Sequence, residues 1–99
     1  MSVLAELSIV PMDKGDSFST YVAKALTVIK NSGLTYQLGP MGTCIEGEWN
    51  EVMAVITKCF ETLKADSRRV SVSIKIDYRA DRSGAIMAKP AAVVAKMGK

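Results

Sequence analysis

Residues 34 to 47 read L-T-Y-Q-L-G-P-M-G-T-C-I-E-G. Glycine at 39 and 42 and proline at 40 mark a tight turn. Leu34 to Leu38 before it and Thr43 to Glu46 after it carry strand-favouring Thr, Tyr and Ile. The stretch therefore reads as two short strands joined directly, with no room for a helix between them. Whatever lies on either side must build the rest of the sheet.

Working back toward the N-terminus, Asn31-Ser32-Gly33 closes a helix, with Gly33 suited to the left-handed position after its end. The apolar residues of that helix are Phe18, Tyr21, Val22, Ala25, Leu26 and Ile29, spaced by three and four along one stripe. Ser17 is placed to cap it. Before the polar turn D-K-G-D, residues 3 to 10 alternate strictly. Val3, Ala5, Leu7 and Ile9 lie on one face, and Leu4, Glu6, Ser8 and Val10 on the other, until Pro11 ends the strand.

Working forward, Asn50 is the expected cap of a second helix with Val52, Val55, Ile56, Cys59 and Leu63 on its buried side. Arg69 to Asp77 alternates again, with Val70, Val72, Ile74 and Ile76 opposed to Ser71, Ser73, Lys75 and Asp77. The alanine-rich tail from Arg82 to Lys99 reads as helical. Pro90 is expected in the first turn of a last short helix or at a kink, because proline in a helix interior removes a hydrogen bond.

The order is β-α-β-β-α-β plus a C-terminal helix. Right-handed crossovers then give an α+β, ferredoxin-like sandwich as one domain over residues 1–99. In it a four-stranded antiparallel sheet carries both helices on one face. Strands three and four flank strand one, so Leu7, Ile9, Val72 and Ile74 are expected beneath the helices. The opposite face displays Glu6, Ser8, Gln37, Cys44, Glu46, Ser71, Ser73 and Lys75.

Composition narrows the function. The 99 residues are 48% hydrophobic, which fits an ordered core. The net charge of +3 is dispersed, with Arg68-Arg69 as the only basic doublet, so no nucleic-acid stripe is present. No run approaches the roughly 20 apolar residues of a membrane span, and the N-terminus lacks a signal-peptide pattern. Cys44 and Cys59 fit neither a C-x-x-C site nor a disulfide framework, and read as reduced thiols of a cytoplasmic protein. Histidine is absent, which removes the commonest general base and the commonest metal ligand. Neither catalysis nor a metal site is expected. An acyl phosphatase, which shares the topology, would need an arginine-bearing phosphate cradle early in the chain, and Asp13 to Ser17 contains no arginine.

Glu46, set among small neighbours, thus has three uses open to it. The face around it is solvated, packs on a second copy of the chain, or holds a ligand. Small side chains there leave room for either occupant.

Three stretches resemble the small thiamine-binding proteins of the YkoF-like superfamily. They are S-I-V-P (Ser8 to Pro11), Y-Q-L-G-P-M-G-T-C-I-E-G (Tyr36 to Gly47) and I-K-I-D-Y-R (Ile74 to Arg79). The likeness runs from Ala5 to about Arg82. It implies a cytoplasmic protein, assembled as dimers or tetramers, that binds thiamine or its hydroxymethylpyrimidine moiety and needs no cofactor. Glu46 would accept from the pyrimidine amine or offset the thiazolium charge. Ser8, Thr43 and the main chain near Met41 and Gly42 would satisfy the ring nitrogens. Gln37, Cys44 and Ser73 would border the ring. With Lys75 as the only basic group near Glu46, unphosphorylated thiamine is favoured over the diphosphate. The competing reading is a structural protein that packs sheet to sheet with copies of itself and takes no small ligand.

Overall fold

The computed structural model describes residues 2–15, 18–81 and 83–98. Its elements are β1 (Val3–Pro11), α1 (Ser19–Asn31), β2 (Thr35–Leu38), β3 (Thr43–Gly47), α2 (Trp49–Lys64), β4 (Val70–Tyr78) and α3 (Ala85–Met97). The sheet order is β2-β3-β1-β4 with every neighbour antiparallel, the ferredoxin-like arrangement expected from the pattern.

Alternation sorts the strands as the sequence suggests. Val3, Ala5, Leu7 and Ile9 of β1 and Ile45 of β3 are buried on one face. The helices α1 and α2 cover them with Ala25, Ile29, Val52, Val55, Ile56, Cys59 and Leu63. The α1 helix ends at Ser32, and Gly33 takes a φ of +80°, a conformation open to glycine at little cost. The proposed cap, Ser17, lies outside the described residues. The second helix starts earlier than expected. Glu48 holds the extended N-cap position, and its carbonyl accepts the first helical bond from the Val52 amide at 2.9 Å. Asn50 therefore sits inside the first turn and caps nothing.

Two further expectations need correction. Val72 and Ile74 pair with Ile9 and Leu7 and so lie on the helix-covered side, yet they remain 38% and 41% exposed. Since β4 is an edge strand, the helices leave its outer half open. The C-terminal helix, in turn, covers part of the opposite face. Its first turn, Ala85 and Ile86, is buried against the sheet, and from Met87 onward the helix is exposed. Pro90 is neither in the first turn nor at the start of a separate helix. It sits six residues into α3, where it has no amide to donate to the Ile86 carbonyl.

Candidate functional site

Glu46 lies on the outer face of β3, opposite Leu4 of β1 and Thr35 of β2. It is 7% exposed. Its carboxylate accepts from the Ala85 amide at 2.7 Å, the Ile86 amide at 3.3 Å and the Ser2 hydroxyl at 3.2 Å. The first amides of a helix have no partner within it, and the helix N-terminus carries partial positive charge. Gly84, with φ at +70°, turns the chain so that those amides meet the carboxylate. Glu46 is thus the cap of α3, supplied from a strand 39 residues earlier.

The remaining sequence-selected residues fall into two groups. The first surrounds a cavity of about 340 Å³ between α1 and one end of the sheet. Its origin is a mismatch of lengths. The strand β1 has nine residues, but its ladder with β3 stops at Leu7↔Thr43. Past that point the chain turns through Gly39 to Gly42, closed by a 2.8 Å bond from the Gly39 amide to the Gly42 carbonyl. A Cβ on Gly42 would stand 3.1 Å from the Leu7 carbonyl oxygen and 3.3 Å from Glu6 Cγ, so the turn lies close against β1.

Ser8 to Val10 consequently border the cavity along a strand edge that no other strand among the described residues covers. The Met12 amide donates to the Arg69 carbonyl at 2.7 Å, which fixes the phase of the β1 main chain. Even-numbered residues of β1 direct their amides and carbonyls to β4, and odd-numbered ones direct them to the other edge. The N–H and C=O of Ile9 therefore point toward the cavity. Pro11, next in phase, has no N–H to leave unpaired.

Phe18, at the N-cap of α1, and Val22 and Leu26 within it form the apolar wall across from that edge. Thr43, 7% exposed and on the inner face of β3, adds a hydroxyl to the lining. Met41 is a rim residue, 86% exposed. Among the described residues, no side chain lining this cavity titrates.

The second group lies on the outer face. Glu6 is the centre of it, paired with Cys44 on one side and Lys75 on the other. Gln37 follows beyond Cys44, and the start of α3 roofs this groove with Ala85, Ile86 and Pro90. Burial raises the Cys44 thiol pKa, and the Glu6 charge raises it further. Lys89 of α3 bonds Asp77 of β4 at 2.5 Å. Ser73 pairs with Ser8 on this face.

The structure thus brings Ser8, Met41, Gly42 and Thr43 together around the cavity. Gln37 and Cys44 share the outer groove, with Gly42 at the border of both. Ser73 stands with Glu6 and Ser8 toward the β4 side, and Glu46 lines neither space. Sequence reasoning placed Glu6 on this face without marking it as a site residue. Its position between Lys75 and Cys44 follows from the strand order and could have marked it. The α1 wall read only as core, because a helical stripe does not reveal a gap beside it.

Known proteins share this architecture. A family model described as thiamine-binding protein matches residues 5–94. The UPF0045 protein MJ1052 of Methanocaldococcus jannaschii is 40% identical over 91 residues, covering 92% of this chain and 91% of its own. The UPF0045 protein Mb1933 of Mycobacterium bovis is 40% identical over 94 residues, covering 94% and 92%. The crystal structure of MJ1052 superposes with a TM-score of 0.88, at 39% identity over 94% of this chain and 96% of that one. A Thermotoga maritima structure, at 23% identity and a TM-score of 0.80 over 92% and 99% of the two chains, shares the fold. Among the described residues no helix is long and apolar enough to cross a membrane.

Proposed function

As the chain belongs to the thiamine-binding protein family, we propose that it binds thiamine, or the hydroxymethylpyrimidine half of it, without transforming it. Its role is thiamine supply or sensing in the cytoplasm. The ligand occupies the cavity between α1 and the open edge of β1. The observation that carries this reading is the pairing of an uncovered strand edge with an apolar wall in a space of about 340 Å³. Small-ligand cavities span roughly 300–1,000 Å³ and combine an apolar lining with a few convergent polar groups.

An aminopyrimidine offers a donor amine beside a ring acceptor. The C=O and N–H of Ile9 offer the complementary pair, and Thr43 supplies a further hydroxyl. Phe18, Val22 and Leu26 cover the ring. The thiazolium cation then lies toward Gly42, where Glu6 stands close by. Binding is supported by a lining that is largely apolar, with main-chain groups and the Ser8 and Thr43 hydroxyls as its polar partners among the described residues. Glu46, across the sheet, serves by holding α3.

Isothermal titration with thiamine and with hydroxymethylpyrimidine tests the proposal. Both are expected to bind saturably, and Val22→Trp, which fills the cavity from α1, is expected to remove both. Absence of heat with either compound, or binding undiminished in Val22→Trp, overturns it. Self-association as a dimer or tetramer accompanies this reading. It is favoured by the exposed apolar residues Val93, Val94 and Met97 of α3 and by the open half of β4.

A further inference from the structure

Ser8 borders a second hollow besides the cavity. It measures about 120 Å³, lies on the outer face of the sheet, and is lined by Glu6, Ser8, Ser73, Ile74 and Lys75. Its polar side chains occupy the corners of one patch of the β1–β4 ladder, with Glu6 opposite Lys75 and Ser8 opposite Ser73. Residues two apart on a strand share a face at roughly 6.6 Å, and directly opposed Cβ atoms stand about 5 Å apart. A carboxylate, two hydroxyls and an ammonium thus converge on a few ångströms of sheet. The hollow is too small for a whole ligand, since such cavities start near roughly 300 Å³. It has room for the short tail of a ligand seated elsewhere.

We infer that this hollow is a subsite for the alcohol tail of the thiazolium ring, and that Glu6 sets which charge the tail can bear. The inference rests on the binding reading above and deepens it. Two features join the spaces. Past the Leu7↔Thr43 pair no described strand lies beside β1 on that edge, so Ser8 touches the cavity on one side and the hollow on the other. The turn supplies the second feature. Gly42 lines the cavity, and a Cβ on it would stand 3.3 Å from Glu6 Cγ and 3.7 Å from Glu6 Cδ. Without that carbon, the way from the cavity rim to the Glu6 carboxylate is open. From Ile9 to Glu6 the strand advances three residues, roughly 10 Å, a span suited to two linked rings and a two-carbon tail.

The order of the charges decides the preference. A ligand leaving the cavity over Ser8 meets Glu6 first, on β1 and beside the turn. Lys75 lies one strand further, on β4. Lys89, overhead in α3, is engaged by Asp77. The first charge at the entrance is therefore negative. It attracts the thiazolium cation and repels a phosphate carried on the tail. A free hydroxyl suits the hollow, because the Ser8 and Ser73 hydroxyls can each donate to it and accept from it. The subsite thus selects a cation ending in an alcohol over the phosphate ester of that alcohol. It does so from the outer face of the sheet, while Glu46 remains bonded to α3.

Isothermal titration with three probes reads the subsite: thiamine, thiamine monophosphate and hydroxymethylpyrimidine. An exposed charge pair changes affinity by up to about fivefold. Glu6→Gln is expected to weaken thiamine by up to about fivefold and to strengthen the monophosphate by a similar factor, because Lys75 then becomes the one charge lining the hollow. Hydroxymethylpyrimidine carries neither cation nor tail. It is expected to bind both proteins alike, and the wild type less tightly than thiamine does. Ser73→Trp, which fills the hollow from β4, is expected to bring thiamine down to the affinity of the fragment. Glu6 and Ser73 are both exposed, so neither change touches the core. A thiamine-to-monophosphate ratio unchanged in Glu6→Gln overturns the inference, as does thiamine affinity undiminished in Ser73→Trp. Either result with the fragment still bound leaves the cavity reading in place. A wild-type protein that takes up none of the three probes overturns both.

Discussion

Replacing Glu46 by alanine is expected to release α3 while leaving the cavity in place. The carboxylate takes two first-turn amides and one hydroxyl, at 2.7, 3.3 and 3.2 Å. A side-chain cap contributes about 1 kcal/mol and reaches ~2. Hydrogen bonds to a charged acceptor contribute about 1.5–3 kcal/mol each. Sharing one carboxylate, the three do not add, and about 3 kcal/mol is a fair figure for the set. What else holds α3 is slight. Ala85 and Ile86 are buried, and the Lys89–Asp77 pair is exposed and worth about 0–1 kcal/mol. The helix has no reserve of its own, since 13 residues are marginal in isolation and Pro90 costs roughly 3 kcal/mol in a helix interior. A loss of about 3 kcal/mol changes the docked-to-released ratio by more than a hundredfold. Amide hydrogen exchange from Ala88 to Met97 is the assay, with far-UV dichroism beside it. The α3 helix supplies 13 helical residues against 13 in α1 and 16 in α2, so its melting should remove just under a third of the helical signal. Glu46→Gln, whose amide nitrogen would face a donor, should give an intermediate loss. Wild-type exchange protection of α3 in Glu46→Ala would refute the capping argument. Loss of thiamine binding in a Glu46→Ala protein with α3 still protected would place the carboxylate at the ligand instead.

Thr43→Val removes the hydroxyl from the cavity wall at nearly constant volume and is expected to weaken thiamine affinity up to about tenfold, the worth of one hydrogen bond, in the same titration. Asp13 accepts from the Ser67 hydroxyl and from the Arg68 amide, and these bonds hold its carboxyl below the ordinary value of 3.8. A depressed folded-state pKa contributes stability above the unfolded value that is lost as pH falls through the folded one. Denaturation midpoints should therefore decline less steeply below about pH 4 in Asp13→Asn than in the wild type. Burial pushes the Cys59 thiol up to about 11, and it donates to the Ala25 carbonyl in the core. In native protein at pH 8 a thiol reagent should modify Cys44 slowly and Cys59 only on unfolding; equal rates at the two would contradict the packing.

The parts of the fold that follow from short-range periodicity were open to reading. Strict alternation in β1 and β4 and the five buried positions of α2 each repeat within one element, and the turn at Gly39 to Gly42 announces itself by composition. The role of Glu46 has no such signal, because it depends on two amides 39 and 40 residues away arriving beside it. A carboxylate among small residues looks the same before that encounter whether it will meet a ligand or a helix end. Alternation likewise assigns Val72 and Ile74 to a face but does not say how far two helices extend across it. The cavity is a different case. Residues 3 to 10 alternate for eight positions, while the strand after the turn offers only four before Gly47. An antiparallel partner that short must leave part of the first strand unpaired on one edge. The sequence thus contained the reason for the cavity, in the unequal lengths of two neighbouring strands. Turning that into a site needed the position of α1 above the gap, which the stripe of Phe18, Val22 and Leu26 does not reveal, since core and cavity wall share the same spacing.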